Sequence, residues 1–161
     1  VFEFWGEYDY LRSNIHLPQD ISDDTIAFLV ELKKKTNVIL HGPVSSNELA
    51  NGLNRMDVLL INYNIKNDQN HHKVLEYLAT GNVIVSNYMS SYCNDHSALI
   101  EMVCNPESND ELPGIFKKVV ENLQYYNSEE MRAKRKNHAC KFSYLNNLLL
   151  IQGFLEKINS N

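Results

Sequence analysis

Short apolar runs alternate with stretches of helical periodicity along almost the whole chain. Phe2-Glu3-Phe4-Trp5 is aromatic and ends at Gly6, as a core strand does on entering a tight turn. Residues 7–21, with Pro18 and several Asp and Asn, read as irregular loop. Ser22 is placed to cap a helix reaching about Lys35, with Ile26, Leu29, Val30 and the stem of Lys33 on one face. Asn37 breaks it. Val38-Ile39-Leu40 is a second strand, turned by Gly42-Pro43. Ser45 and Glu48 stand at capping-box spacing, so a short helix is predicted to about Arg55. Val58-Leu59-Leu60-Ile61, after Asp57, is an unbroken apolar run that suits a parallel strand buried on both faces.

The alternation continues beyond the polar stretch 62–70. A helix is predicted over His71–Thr80, ended by Gly81 in the left-handed position that closes many helices. Val83-Ile84-Val85 is a fourth strand, β-branched throughout, and Leu99–Val103 a fifth. Ser108 and Glu111 form a second capping box, opening a helix to about Tyr125 with Pro113 in its early turns. Ser128 caps a further helix. The last runs from about Tyr144 to Ile158, with Leu148, Leu149, Ile151, Gln152 and Leu155 on one mainly apolar face. Parallel neighbours need crossovers, and helices are the usual crossovers. The order therefore predicts an α/β fold, a parallel sheet with helices on both faces, in a single domain spanning residues 1–161. There is no internal repeat and no low-complexity tract.

Composition narrows the partners. With a net charge of −5, the chain lacks the clustered cations that counterion release on nucleic acid requires. The best cluster, Arg132, Lys134, Arg135 and Lys136, follows Glu129 and Glu130 and reads as a solvated helix face. Nucleic acid is accordingly not an expected partner. No apolar run reaches the roughly 18 residues needed to cross a bilayer. The start, Val1 to Trp5, has neither the basic region nor the cleavage site of a signal peptide, and no initiating methionine, which points to a piece of something longer. The cysteines, Cys93, Cys104 and Cys140, are odd in number and widely spaced. They indicate neither a disulfide framework nor zinc, and free thiols suit the cytoplasm.

Chemistry concentrates in Asn70-His71-His72-Lys73-Val74-Leu75-Glu76-Tyr77-Leu78-Ala79-Thr80-Gly81. In open α/β sheets ligands sit beyond the carboxyl ends of the strands. A helix opening there exposes backbone N–H groups of residues 71–74 at its positive end, an anion site by geometry and dipole. Lys73 can add charge to it. Glu76, one turn on, faces the same side and can accept two hydrogen bonds from a sugar diol. Val74, Leu75 and Leu78 would hold the helix on the sheet. His71-His72 invites a metal reading, but neighbours on a helix point about 100° apart and rarely share one ion. No metal is expected. His41, at a strand end beside Gly42, reads as a core residue before a contact to a base. Trp5 reads as core as well, and Tyr8 as a residue able to stack on a base.

The order Lys73-x-x-Glu76-Tyr77-Leu78-Ala79-x-Gly81 before a strand resembles the C-terminal domain of retaining GT-B glycosyltransferases. The runs Asn37–Ser45, Glu48-Leu49 and Asp57–Leu60 match that family's preceding blocks in order and spacing. The resemblance covers residues 1–105. It implies a Rossmann-like domain, one half of a GT-B fold, that binds a nucleotide-diphosphate sugar for hexosyl transfer to a glycan or lipid-linked acceptor in polysaccharide assembly. It gives Glu76 the ribose hydroxyls. It gives Asp68, in place of the usual Glu eight positions upstream, a catalytic place near the sugar. His71, His72, Lys73, Gly42 and Gly6 become donor-binding candidates. No cofactor or metal is implied. Where relatives carry glycines and a proline, this chain has Gln69, Asn70 and His71. The acceptor domain and the basic pair that neutralises the departing diphosphate precede such a domain, so this chain alone is expected to bind a donor without transferring its sugar. The full-length protein is expected in the cytoplasm, with peripheral membrane association left open. The competing readings are a nucleotide-sugar 2-epimerase-like domain and a non-enzymatic α/β interaction module. A receiver-like module needs an Asp ending the third strand, where this chain has Ile61-Asn62.

Overall fold

The computed structural model describes residues 1–6, 23–62, 72–93 and 98–159. The chain is α/β, with every strand pair parallel and helices between the strands, an arrangement compatible with a Rossmann-like fold. It forms two compact units, Val1–Gly52 and Leu53–Asn161. Where the periodicity predicts one sheet, there are two: β1 (Phe2–Trp5) with β2 (Val38–Gly42), and β3 (Val58–Ile61), β4 (Val83–Ser86) and β5 (Glu101–Met102) in that order. No helix among the described residues is long and apolar enough to cross a membrane.

In the first unit, β1 and β2 pair from Phe2↔Val38 to Trp5↔Gly42, with a register shift after Phe4. The helix between them, α1 (Asp23–Lys33), does not bury the predicted stripe. Ile26 and Val30 are exposed and Leu29 and Leu32 half-buried, so the covered face is turned from the one read in the sequence. Ser22 lies outside the described residues. α2 (Ser46–Asn54) opens with the predicted capping box. The Ser45 amide and hydroxyl both donate to the Glu48 carboxylate, at 3.0 and 2.7 Å, and the Glu48 amide donates back to Ser45 Oγ at 3.3 Å. These bonds, the Ser45 hydroxyl foremost, hold the Glu48 carboxyl below its ordinary value of 4.5. A depressed carboxyl stabilises the fold above its unfolded pKa and stops doing so as pH falls through the lower folded one. Ser45→Ala is therefore expected to lower the urea midpoint at pH 7 and to lower it less once acid has protonated Glu48, when only the bond from the Glu48 amide to Ser45 Oγ is still at stake. Equal midpoint shifts at both pH values would remove the Glu48 carboxylate from the account.

Gly52 of α2 sits against the Trp5 ring, where a Cβ would come within 2.5 Å of Cζ2 and 2.6 Å of Cη2. The indole also stacks on His41, at 3.6 Å between centroids and 10° between planes. Ala gains about 1 kcal/mol of helix propensity over Gly, but a forced shift of a packed ring costs about 1–3 kcal/mol. Gly52→Ala is expected to lose stability on balance and to shift the emission of Trp5, the protein's only tryptophan. An unchanged spectrum with raised stability would mean that the ring yields freely.

The second unit carries the larger core. β3 and β4 pair in register from Val58↔Val83 to Ile61↔Ser86, and β4 continues to β5 through Val85↔Glu101. All four residues of β4 are fully buried. Val83 and Val85 face Val103, Leu112, Val119 and Tyr126, from the segments that carry α4 (Leu112–Glu121) and α5 (Leu123–Tyr126). Ile84 and Ser86 take the opposite face, where α3 (His72–Thr80) packs. Burial on both faces is what a continuous β-branched run in a parallel sheet requires. α6 (Glu129–Lys141) lies along α3, and its predicted Ser128 cap accepts from the Met131 amide.

Three sequence expectations are corrected here. The Ser108–Glu111 capping box does not form: Ser108 Oγ accepts from Asp110, and Glu111 accepts from the Cys104 amide at 3.4 Å. The single helix to Tyr125 is two, because Asn122 turns its side chain back onto the Lys118 carbonyl at 2.8 Å and leaves helical backbone angles. A short polar side chain competes for helical carbonyls in this way. The last helix, α7 (Tyr144–Asn159), forms as predicted, but Leu148, Leu149, Ile151 and Leu155 are exposed rather than packed.

Candidate functional site

Because β3 and β4 are parallel neighbours, the helix joining them runs back against the strands, and α3 starts at their carboxyl edge. Its face selection is local and apolar. Val74 and Leu78 are buried and Leu75 half-buried, which leaves His72, Lys73 and Glu76 exposed along the first turns. Gly81 closes the helix at φ 80°, its amide donating to the Leu78 carbonyl at 3.0 Å. A Cβ there would stand 2.9 Å from the Lys136 side chain and 3.1 Å from the Arg132 backbone, so close packing on α6 also demands glycine.

Asn82, the polar residue before β4, is fully buried. Its amide nitrogen donates to the carbonyls of Leu53 and Asn54 at the end of α2, at 3.2 and 3.4 Å, and its backbone amide to Thr80 Oγ1. At the same amino end of the strands, Asn127 extends the sheet's bonding: it accepts from the Val83 amide and donates to the Asp57 carbonyl, both at 2.8 Å. These contacts fix where β4 begins, and so the height at which its carboxyl end emerges. At that end Ser86 Oγ is buried without a hydrogen-bond partner, and Asn62 accepts from the Asn109 side chain.

The sequence candidates divide by unit. Lys73, Glu76 and His72 stand together at the start of α3. Asp68 and His71 lie outside the described residues, and so does Tyr8. Gly6 and Gly42 belong to the first unit, at the carboxyl ends of β1 and β2. Their φ angles of 114° and 73° explain the residue type, and the Gly6 amide donates to the Gly42 carbonyl at 3.0 Å. Beside them His41 is not the core residue expected. It is partly exposed, stacked on Trp5, and its Nε2 lies 2.7 Å from the Glu3 carboxylate. Trp5 is half-buried against Gly52, with its indole N–H enclosed and unpartnered.

Sequence reasoning missed Arg135. Read as part of a solvated cationic face, it is almost wholly buried on α6. Its guanidinium donates to the carbonyls of Leu99 at 3.1 Å, Gly81 at 3.0 Å and Tyr126 at 2.8 Å. Burial pushes its pKa down to about 10. The available signal was the spacing of Met131, Arg135 and His138, all buried: α6 has no apolar stripe, so a helix packed on α3 must bury something polar. The cysteines are free, and no cluster of metal-ligating side chains occurs among the described residues.

No protein-family model, no curated protein and no solved structure matches the chain.

Proposed function

We propose that the second unit binds the donor of a glycosyltransferase that uses a nucleotide-diphosphate sugar, as the C-terminal half of a retaining GT-B enzyme does. The observation that carries this reading is the division of α3 at the carboxyl edge of β3 and β4. Val74 and Leu78 seat the helix, and Lys73 and Glu76 face outward within one turn of its start. The first-turn N–H groups and the helix dipole are suited to a diphosphate, with Lys73 adding charge beside it. Glu76 is suited to the vicinal hydroxyls of a ribose, accepting from both. Held this way, a diphosphate leaving group has its growing charge stabilised as the glycosidic bond breaks. Transfer itself is assigned to the longer protein, with the acceptor bound by a preceding domain.

Titration of the chain with UDP, GDP and UMP, followed by amide NMR, tests the reading. The diphosphates are expected to shift the amides of His72 to Glu76 more than the monophosphate does. If neither diphosphate moves them, the proposal is wrong.

A further inference from the structure

A fully buried polar side chain stands at each end of β4, Asn82 just before it and Ser86 as its last residue. The Asn82 side chain is bonded, its nitrogen donating to the Leu53 and Asn54 carbonyls. The Ser86 hydroxyl is enclosed with no hydrogen-bond partner. Its main chain is already engaged: Ser86 pairs with Ile61 and Met102 across the sheet, and its carbonyl accepts from the Val103 amide at 3.0 Å. A buried hydroxyl without a bond lowers stability. The other residues of β4, Val83, Ile84 and Val85, are apolar, and an alanine would complete that run. The hydroxyl is therefore explained by a partner that the fold itself does not supply.

Its position points to the chemistry of that partner. Side chains alternate along a strand. Val83 and Val85 enter the cluster with Leu112, Val119 and Tyr126, so Ser86 takes the other face with Ile84, where α3 packs. The height agrees as well. Thr80 ends α3 and Val83 begins β4, with only Gly81 and Asn82 between them. From that junction a strand rises about 3.3 Å per residue, which carries Ser86 about 10 Å toward the carboxyl edge. The helix rises about 1.5 Å per residue and covers the same distance, about 10 Å, by Lys73 and Val74. The hydroxyl is thus level with the first turn of α3, the positive end of its dipole.

We propose that Ser86 is a phosphate-binding residue of the site at the start of α3, its Oγ–H donating to an anionic oxygen of a bound nucleoside diphosphate. This rests on the donor-site reading of α3 and extends it to the sheet. An anionic oxygen is the fitting acceptor because the helix start favours negative charge, and a charged acceptor makes the stronger bond to a hydroxyl. The bond is made only on binding. The hydroxyl therefore costs the free protein stability and strengthens the complex.

Ser86→Ala separates the two effects. UDP and GDP are titrated into parent and variant by calorimetry and amide NMR, and unfolding in urea is followed without ligand. In the parent, a bound diphosphate is expected to shift the amides of Ser86 and Asn87 together with those of His72 to Glu76. The variant is expected to bind that diphosphate about 10- to 100-fold more weakly. Its urea midpoint is expected to equal the parent's or exceed it, since no bond of the free fold is lost. A variant that binds as tightly as the parent overturns the inference and leaves the donor-site reading standing, as do parent amide shifts confined to α3. A lower urea midpoint also overturns it, because the hydroxyl would then serve the free fold. If neither diphosphate binds the parent, the donor-site reading fails and this inference fails with it.

Discussion

Arg135→Met is expected to lower the unfolding free energy by about 4 kcal/mol and the urea midpoint by about 2 M. Methionine restores apolar volume but not the donors. Three carbonyls lose their partner at once: Gly81 at the end of α3, Leu99 ahead of β5 and Tyr126 at the end of α5. Each buried acceptor left unsatisfied costs about 1–3 kcal/mol. Some relaxation toward water keeps the total below the sum, yet it remains a large part of the 5–15 kcal/mol that holds a typical domain together. Arg135→Lys is expected to fall between the two, because an ammonium cannot span three divergent carbonyls. Burial lowers the folded pKa well below the ordinary guanidinium value, to about 10. The folded protein thus holds this proton less tightly than the unfolded chain, and the resulting penalty eases only as pH rises above about 10. At all lower pH the residue is charged in both states, so the loss in Arg135→Met is expected to be level between about pH 5 and pH 9. A midpoint within about 0.3 M of the parent would show that the guanidinium does not hold these segments together.

Glu76→Ala is expected to weaken binding of a nucleoside diphosphate by about 10- to 100-fold while leaving stability within about 0.5 kcal/mol. The two effects separate because the side chain is exposed and the helix is held by Val74 and Leu78 on its other face. Two hydrogen bonds from a diol to a carboxylate are worth about 1.5–3 kcal/mol together, and 1.4 kcal/mol is tenfold in affinity. A 2′,3′-dideoxynucleoside diphosphate sharpens the measurement, since it keeps the anion and lacks the diol. Parent and variant are expected to bind that analogue equally, with calorimetry as the readout. If Glu76→Ala loses as much affinity for the dideoxy compound, the carboxylate does not meet the ribose. If it loses none for either, Glu76 is a solvated helix residue.

Much of the local structure was legible because it rests on neighbours in sequence. The Ser45–Glu48 box, the Ser128 cap and the left-handed Gly81 are each decided within a few residues by hydrogen bonds or by the absence of a Cβ. The Ser108–Glu111 pair had the same spacing and failed, since Glu111 found a different amide, that of Cys104. Spacing makes a box available, and competing partners decide whether it closes. The donor-site candidates were legible in part for the same reason. The apolar positions of α3 determine which side of the helix is buried, and hence that Lys73 and Glu76 are left exposed.

The sequence by itself determined the order of strands and helices, their parallel pairing through helical crossovers, and the outward face of α3, because periodicity and chain reach impose these whatever surrounds them. Only the tertiary structure decided that the strands group as two sheets, that α7 leaves its apolar side chains in solvent and that Arg135 lies inside. A cation's place depends on whether carbonyls from distant segments converge on it. Gly81, Leu99 and Tyr126 do so here from separate parts of the chain, and a charged run read along one helix contains no trace of that convergence.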